Sequence, residues 1–61
     1  MSTEHADILA TVVENGRLSE HWDDDELEVQ IDYEARIERG LSDEETAEAI
    51  AYAKKHIARP D

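Results

Sequence analysis

The chain has 61 residues, a formal net charge of −11 at neutral pH, and no cysteine. A chain of this length forms one small domain at most, so residues 1–61 are predicted to be a single domain without disulfides or thiolate metal sites. The excess of acid argues against direct binding of nucleic acid or of an anionic membrane surface, because both require a basic footprint on the protein.

The hydrophobic share of 39% predicts a thin core. Domains this small bury only about 60% of the surface that their unfolded chain exposes. A second copy of the chain, forming a homodimer, is therefore one candidate partner that would complete the core. The chain lacks a long apolar run, and its first ten residues lack a positively charged region followed by an apolar one. We therefore expect no signal peptide, no membrane span and a cytoplasmic location.

The first predicted element is a helix over residues 3–15. Ser2 or Thr3 can cap its start, and Asn15-Gly16 supplies a left-handed stop. Apolar residues recur at helical spacing and are predicted to form one buried stripe: Ala6, Ile8, Leu9, Val12 and Val13.

The middle of the chain is predicted to be a β-hairpin. Residues 26–34 alternate strictly between apolar and polar side chains, which is typical of a half-buried strand. Residues 17–22 are a weaker candidate for the partner strand. Residues 23–25 would form the turn that connects the two strands. The apolar face of the main strand would consist of Leu27, Val29, Ile31 and Tyr33.

Residues 33–40 admit two interpretations. Weak alternation through Ala35 and Ile37 would continue the strand. Alternatively, Asp32 would cap a short helix that ends at Gly40. The sequence leaves this choice open.

The last predicted element is a helix from about residue 43 to residue 58. Ser42 and Glu45 have the spacing of a capping box, and Leu41 can form the hydrophobic staple. Cationic residues occupy the last turn and Pro60 forbids continuation. Its predicted buried stripe contains Ala47, Ile50, Ala51 and Ile57.

The order helix, hairpin, helix predicts an α+β fold. A two-stranded ribbon is not stable alone in water, so the two helices would cover its apolar face in a small two-layer domain.

No pattern of residues indicates catalysis, a metal site or a cofactor. The three histidines, His5, His21 and His56, lack any spacing typical of metal ligands. The acidic stretch over residues 23–34 departs from a calcium-binding loop, because Glu28 stands at the glycine position and Leu27 at a ligand position. We therefore expect a protein that is not an enzyme.

Carboxylates are concentrated between residues 20 and 34, where no lysine or arginine offsets them. On a strand, acids of the wet face would recur at multiples of about 6.7 Å, twice the rise per residue. Phosphates along one DNA strand recur every ~3.4 Å, a charge density of the same order. The row predicts a mimic of nucleic-acid backbone charge whose partner is a basic nucleic-acid-binding protein. The predicted partner-binding residues are Glu20, Asp23, Asp24, Asp25, Glu26, Glu28, Asp32 and Glu34.

In length, charge, absence of cysteine and the acidic row from Asp23 to Glu34, the chain resembles small DNA-mimic inhibitors from phages and mobile elements, including some anti-CRISPR proteins. The resemblance covers the whole chain but is compositional, and that class shares no sequence motif that could be carried over. It implies inhibition of a CRISPR effector by occupation of its DNA-binding groove, in the cytoplasm of the host cell.

Two other interpretations of the acid are kept. Proteins adapted to molar salt carry many acids and few lysines, in which case the chain would be a small adaptor or regulator. The first fifteen residues carry only three acids, whereas residues 20–34 carry eight, which favours a dedicated acidic face. An antitoxin-like module for one basic partner is the other alternative, in which Trp22 could anchor the interface rather than fill the core.

Overall fold

The structure, a computed structural model, describes residues 3–57, and all the regular secondary structure within these residues is helical. Helix α1 spans Thr3–Glu14, α2 spans Asp24–Asp32, and α3 spans Asp43–His56. A π-helical segment, Tyr33–Glu38, continues α2 without a break. No strand occurs within residues 3–57, so the predicted α+β fold with a central β-hairpin is wrong.

The hairpin prediction failed because the alternating apolar residues form two helical stripes instead of one strand face. Residues two apart on an α-helix differ by about 200° around its axis, whereas residues four apart nearly coincide. Leu27 and Ile31 accordingly face the core and are fully buried, while Val29 and Tyr33 lie on the opposite side, 62% and 49% exposed. Both strands predicted for residues 17–34 are thereby excluded.

The acids predicted to form the hairpin turn instead begin α2. Asp23 has extended backbone angles and is the N-cap, and its carboxylate accepts a hydrogen bond of 2.9 Å from the backbone N–H of Glu26. Asp24, Asp25 and Glu26 follow in the first turn, where negative charge stabilises the positive end of the helix dipole. The same residues that repel one another along a strand therefore stabilise a helix start.

The two outer helices are confirmed, with their predicted boundaries displaced by a residue or two. Gly16 has a φ of 64°, as expected of a left-handed stop after α1. Ser42 caps α3 and accepts a hydrogen bond of 3.2 Å from the backbone N–H of Glu45. The predicted cap at Ser2 and the stop at Pro60 lie outside the described residues.

The π-helical segment resolves the two interpretations of residues 33–40 in favour of helix. The Arg39 N–H donates to the Glu34 carbonyl at 3.2 Å, a bond spanning five residues, and Gly40 ends the segment with a φ of 66°. Asp32 is not a cap, because its backbone is helical and its side chain makes no capping bond. The N-cap of this continuous helix lies nine residues earlier, at Asp23.

The core is small and lies where the three helices meet. Its large members are Ile8, Val12, Leu27 and Ile31, and its small members are Ala35, Ala49 and Ala53. Parts of the predicted stripes are wrong, because Ala6, Ala47 and Ala51 are exposed and Val13 is 49% exposed. On α3 the buried face is formed by Thr46, Ala49 and Ala53, whereas Ile50 and Ile57 pack at its edge.

Candidate protein-binding surface

The acids that were predicted to form one binding row do not lie in a row. On a helix, consecutive residues are rotated by about 100°, so α2 distributes its carboxylates around its circumference. Glu20 lies in the loop before α2, and Asp23, Asp24 and Asp25 cluster at the helix N-terminus. The 6.7 Å spacing that suggested backbone mimicry required a strand and is therefore lost.

Several of these acids interact with groups of the same chain. Both carboxylate oxygens of Glu26 accept hydrogen bonds from Ser19, one from its N–H at 2.6 Å and one from its hydroxyl at 2.8 Å. Glu28 pairs with Lys54 of α3 at 3.0 Å, and Asp32 pairs with Arg36 at 3.2 Å. Glu26 thus connects α2 to the loop before it and Glu28 links α2 to α3, whereas the pair of Asp32 with Arg36 lies within one continuous helix.

Glu34 is buried, with only 4% of its area exposed. One carboxylate oxygen accepts a hydrogen bond from Arg17 Nη1 at 2.6 Å, and the other accepts one from Arg39 Nε at 2.9 Å. Burial by itself raises the pKa of Glu34, but the hydrogen bonds from Arg39 and Arg17, together with their positive charges, outweigh it and lower that pKa below its usual value. Glu34 is therefore a structural anion, and the prediction that it contacts a partner has no support in its position.

Arg39 extends the same cluster to α1. Its guanidinium donates to Asp7 at 2.7 Å and to the Thr11 hydroxyl at 3.2 Å, and lies 3.5 Å from Glu4. The hydrogen bonds to Glu34 and Asp7 hold the pKa of Arg39 above its usual value. We call Arg17, Glu34 and Arg39 the buried ion cluster.

The alternation of residues 26–34 does not predict the buried ion cluster, because on a strand it places Glu34 on the solvent-exposed face. Glu34 lies three residues after Ile31 and seven after Leu27, which is the spacing of one helical face. Had α2 been recognised, this spacing would have placed Glu34 in the core and demanded a cationic partner.

Exposed carboxylates that form no ion pair within residues 3–57 occur on all three helices, on the π-helical segment and in the loop before α2. Among the predicted partner-binding residues, Glu20, Asp23 and Asp25 belong to this group, although Asp23 also caps α2. Asp24 is exposed but has an interaction within the chain. The other members of the group are Glu14, Glu38, Glu44, Glu45 and Glu48.

Three apolar side chains stand exposed on the outer side of α2 and the π-helical segment. Val29 is 62% exposed, Tyr33 49% and Ile37 61%. Shallow clefts lie on both sides of Tyr33. One is bordered by Glu28 and Asp32, and the other by Glu38 and Arg17. We call Val29, Tyr33 and Ile37 the outer stripe.

A second apolar surface is a groove between α1 and the end of α3. The half-buried Trp22 lies in its wall and packs against the core, so Trp22 is neither a free anchor nor a fully buried core residue. Tyr52 stacks on His56 with ring centres 4.2 Å apart, and His5 lies 6.1 Å from Tyr52. The groove extends to Ile57, where the described part of the chain ends.

Neither a metal site nor a membrane span is found in the described part of the chain. Residues 3–57 contain no group of three or more potential ligands able to hold a metal ion. Within the same residues, no helix is both long and apolar enough to cross a bilayer.

Comparison with known proteins finds no family model, no curated protein and no solved structure that matches the chain. Function must therefore be inferred from the surfaces themselves.

Proposed function

We propose that the chain is a small acidic module that binds a basic protein and performs no catalysis. The observation that carries this proposal is the surplus of exposed carboxylates after internal pairing. Within residues 3–57, four of the five lysines and arginines form ion pairs with acids of the chain: Arg17, Arg36, Arg39 and Lys54. The acids that remain create a negative potential that attracts a basic partner over a Debye length, about 8 Å at physiological salt.

A nucleic-acid-binding protein remains the partner class that we favour, because its groove is lined with lysine and arginine for contact with phosphates. Occupation of that groove would make the chain an inhibitor, for example of a CRISPR effector, acting in the cytoplasm. The overall charge of −11, and not a regular row of acids, supports this inhibitory function. An antitoxin that masks the basic surface of one toxin is the same mechanism with a different partner.

Competition with DNA tests the inhibitor form. Labelled duplex DNA bound to several proteins with basic grooves, a CRISPR effector among them, is titrated with the chain at about 0.15 M salt. Release of DNA from one protein but not from the others supports specific inhibition. Binding without release of DNA supports a module that uses another surface of the partner. Absence of binding to every basic protein contradicts the proposal.

Adaptation to molar salt is the second candidate, and the presence of unpaired exposed acids on every helix favours it. Thermal melts followed by circular dichroism at about 0.1 M and at several molar potassium chloride distinguish the two. Folding only at high salt would show that the acid is adapted to the solvent. Cooperative melting at low salt would show that the chain tolerates its self-repulsion, as a dedicated binding module must.

A further inference from the structure

The outer stripe lies on the side of α2 opposite the core. Val29 and Tyr33 are each two residues from a fully buried residue, Ile31, and therefore point about 200° away from it. Single exposed apolar residues are ordinary on protein surfaces. In the outer stripe, three large ones are aligned along one helix, each about half exposed or more. They form a continuous apolar surface whose exposure to water is unfavourable.

The π-helical segment keeps the outer stripe parallel to the helix axis. In an α-helix, four residues exceed one turn of 3.6 residues, so Tyr33 lies slightly beyond Val29 around the axis. A π turn is wider, with bonds that span five residues, so the next four residues fall short of one turn. The two deviations oppose each other and bring Ile37 back into line with Val29. A regular α-helix would instead let the strip wind around the axis.

The strip has the dimensions of a helix-binding surface. Eight residues separate Val29 from Ile37, which corresponds to about 12 Å of helix length, or two turns. An amphipathic helix presents apolar residues at positions i, i+3 or i+4, and i+7 over a comparable length. The shallow clefts beside Tyr33 can receive such side chains from a facing helix.

The charged residues that border the outer stripe indicate which kind of partner helix would bind it. Glu28 and Asp32 border the outer stripe on one side, and Glu38 borders it on the other together with Arg17, whose charge is paired with Glu34. Asp32 accepts from Arg36 through both of its oxygen atoms, and Glu28 accepts from Lys54 through one. Both ion pairs are solvent-exposed and contribute little energy, so a partner's cations can compete for these acids. A second copy of the chain would bring another net charge of −11 and the same acids to this strip, which opposes self-association.

We propose that the outer stripe, formed by Val29, Tyr33 and Ile37, docks an amphipathic helix of a partner protein whose flanks carry lysine and arginine. This inference rests on the proposed function, since it names the surface by which the acidic module holds its basic partner. Three anchors over two turns give a small interface of the weak, reversible kind.

The test uses two synthetic peptides of about 18 residues, built from leucine and lysine. One places leucine at helical spacing, and the other has the same composition in scrambled order. Binding of each peptide to the full chain is measured by fluorescence anisotropy at about 0.15 M salt. We expect the patterned peptide to bind at least about tenfold more tightly than the scrambled one, because only the patterned peptide can place its leucines on the strip.

Two variants locate the binding site. The double substitution Val29→Ser with Ile37→Ser is expected to weaken binding of the patterned peptide about tenfold or more. Val13→Ser is the matched control, because Val13 is 49% exposed but lies in the groove between α1 and α3. Circular dichroism confirms that each variant is folded before binding is compared.

Each outcome separates this inference from the proposed function. Equal binding of both peptides, or unchanged binding by the double variant, would show that charge alone holds the peptide; the stripe inference then fails while the proposed function survives. Loss of binding in Val13→Ser but not in the double variant would assign the site to the other groove and overturn the inference. A dimer in sedimentation that Ile37→Lys dissociates would identify a second copy as the occupant. No binding of either peptide would contradict the stripe and the proposed function together.

Discussion

Replacing Glu34 by glutamine is the most informative single perturbation of this domain. The substitution keeps the size of the side chain but removes the negative charge from between two guanidinium groups. One carboxylate oxygen becomes an amide NH₂, which cannot accept the hydrogen bond now made by Arg17 or by Arg39. The two arginines are then left close together without the anion that separates their charges.

The expected cost is about 2–3 kcal/mol in the free energy of unfolding. Removal of one partner from a fully buried ion pair costs about 3–5 kcal/mol. Here the side chains of Arg17 and Arg39 are 27% and 20% exposed and can regain water, and Arg39 also keeps its bond to Asp7, so the cost should lie at or below the lower end of that range. A domain of this length has roughly 3–9 kcal/mol in total, so the variant should lose a large share of its stability.

Urea unfolding followed by circular dichroism measures this loss, with Glu38→Gln as the matched control. Glu38 belongs to the same π-helical segment but is exposed and forms no ion pair within residues 3–57, so its substitution should change stability by less than about 0.5 kcal/mol. If Glu34→Gln is as stable as Glu38→Gln, the buried ion cluster does not contribute as its geometry implies.

The same cluster predicts the direction of the pH dependence. The pKa of Glu34 is lower in the folded protein than in the unfolded chain, where a glutamate titrates near 4.3. Its ionised form therefore stabilises the fold fully above that value, and the contribution is lost as pH falls through the folded pKa. Glu34→Gln should lose less stability than the parent on acidification, and an identical loss in both proteins would contradict this assignment.

The remaining predictions concern the core and one helix cap. Ile31→Ala should cost about 2–4 kcal/mol and Val29→Ala less than about 0.5, because the first side chain is fully buried and the second is exposed; equal costs in urea titration would restore the strand interpretation. Thr46→Val should stabilise the protein by about 1 kcal/mol, since the buried Thr46 hydroxyl has no hydrogen-bond partner among residues 3–57, and a lower melting temperature would show that a partner exists. Ser42→Ala should cost about 1 kcal/mol through loss of the bond from the Glu45 N–H, whereas Ser42→Gly should cost only a few tenths in the same assay.

The outer helices could be predicted because their ends carry local signals. Ser42 and Glu45 lie three apart at the start of α3, and Gly16 follows α1, so each boundary is defined by a backbone hydrogen bond or by a backbone angle that neighbouring residues determine. The buried face of α3 was less predictable, because its alanines lie on two opposite faces of the helix. Only packing against the other helices selects Ala49 and Ala53 over Ala47 and Ala51.

The middle of the chain was predicted wrongly although the same capping spacing is present there. Asp23 and Glu26 repeat the relation of Ser42 to Glu45, and three acids in the first turn favour a helix start. Strict alternation received more weight because it also matches a strand. Strict alternation also arises when a helix carries one apolar stripe on its buried side and a second on its exposed side. An isolated domain is not expected to expose such a stripe, so the alternation favoured a strand.

The predicted partner-binding residues were assigned to one face by strand geometry, and the helix changes those assignments. Glu34 was placed on the wet face but is buried, and Glu26 and Glu28 interact with Ser19 and Lys54. These contacts join residues that are distant in the chain, and the choice of strand or helix decides which of them can meet.

The composition of the core has a consequence for the response of the protein to temperature. Of the apolar residues buried within residues 3–57, Ala35, Ala49 and Ala53 each remove only a small apolar area from water. The heat-capacity change of unfolding grows with the apolar area exposed, about 12–15 cal/mol/K per residue in ordinary domains, and should lie at the low end here. A small heat-capacity change flattens the stability curve. The domain is therefore expected to be modestly stable over a wide span of temperature, with neither a pronounced optimum nor ready cold denaturation.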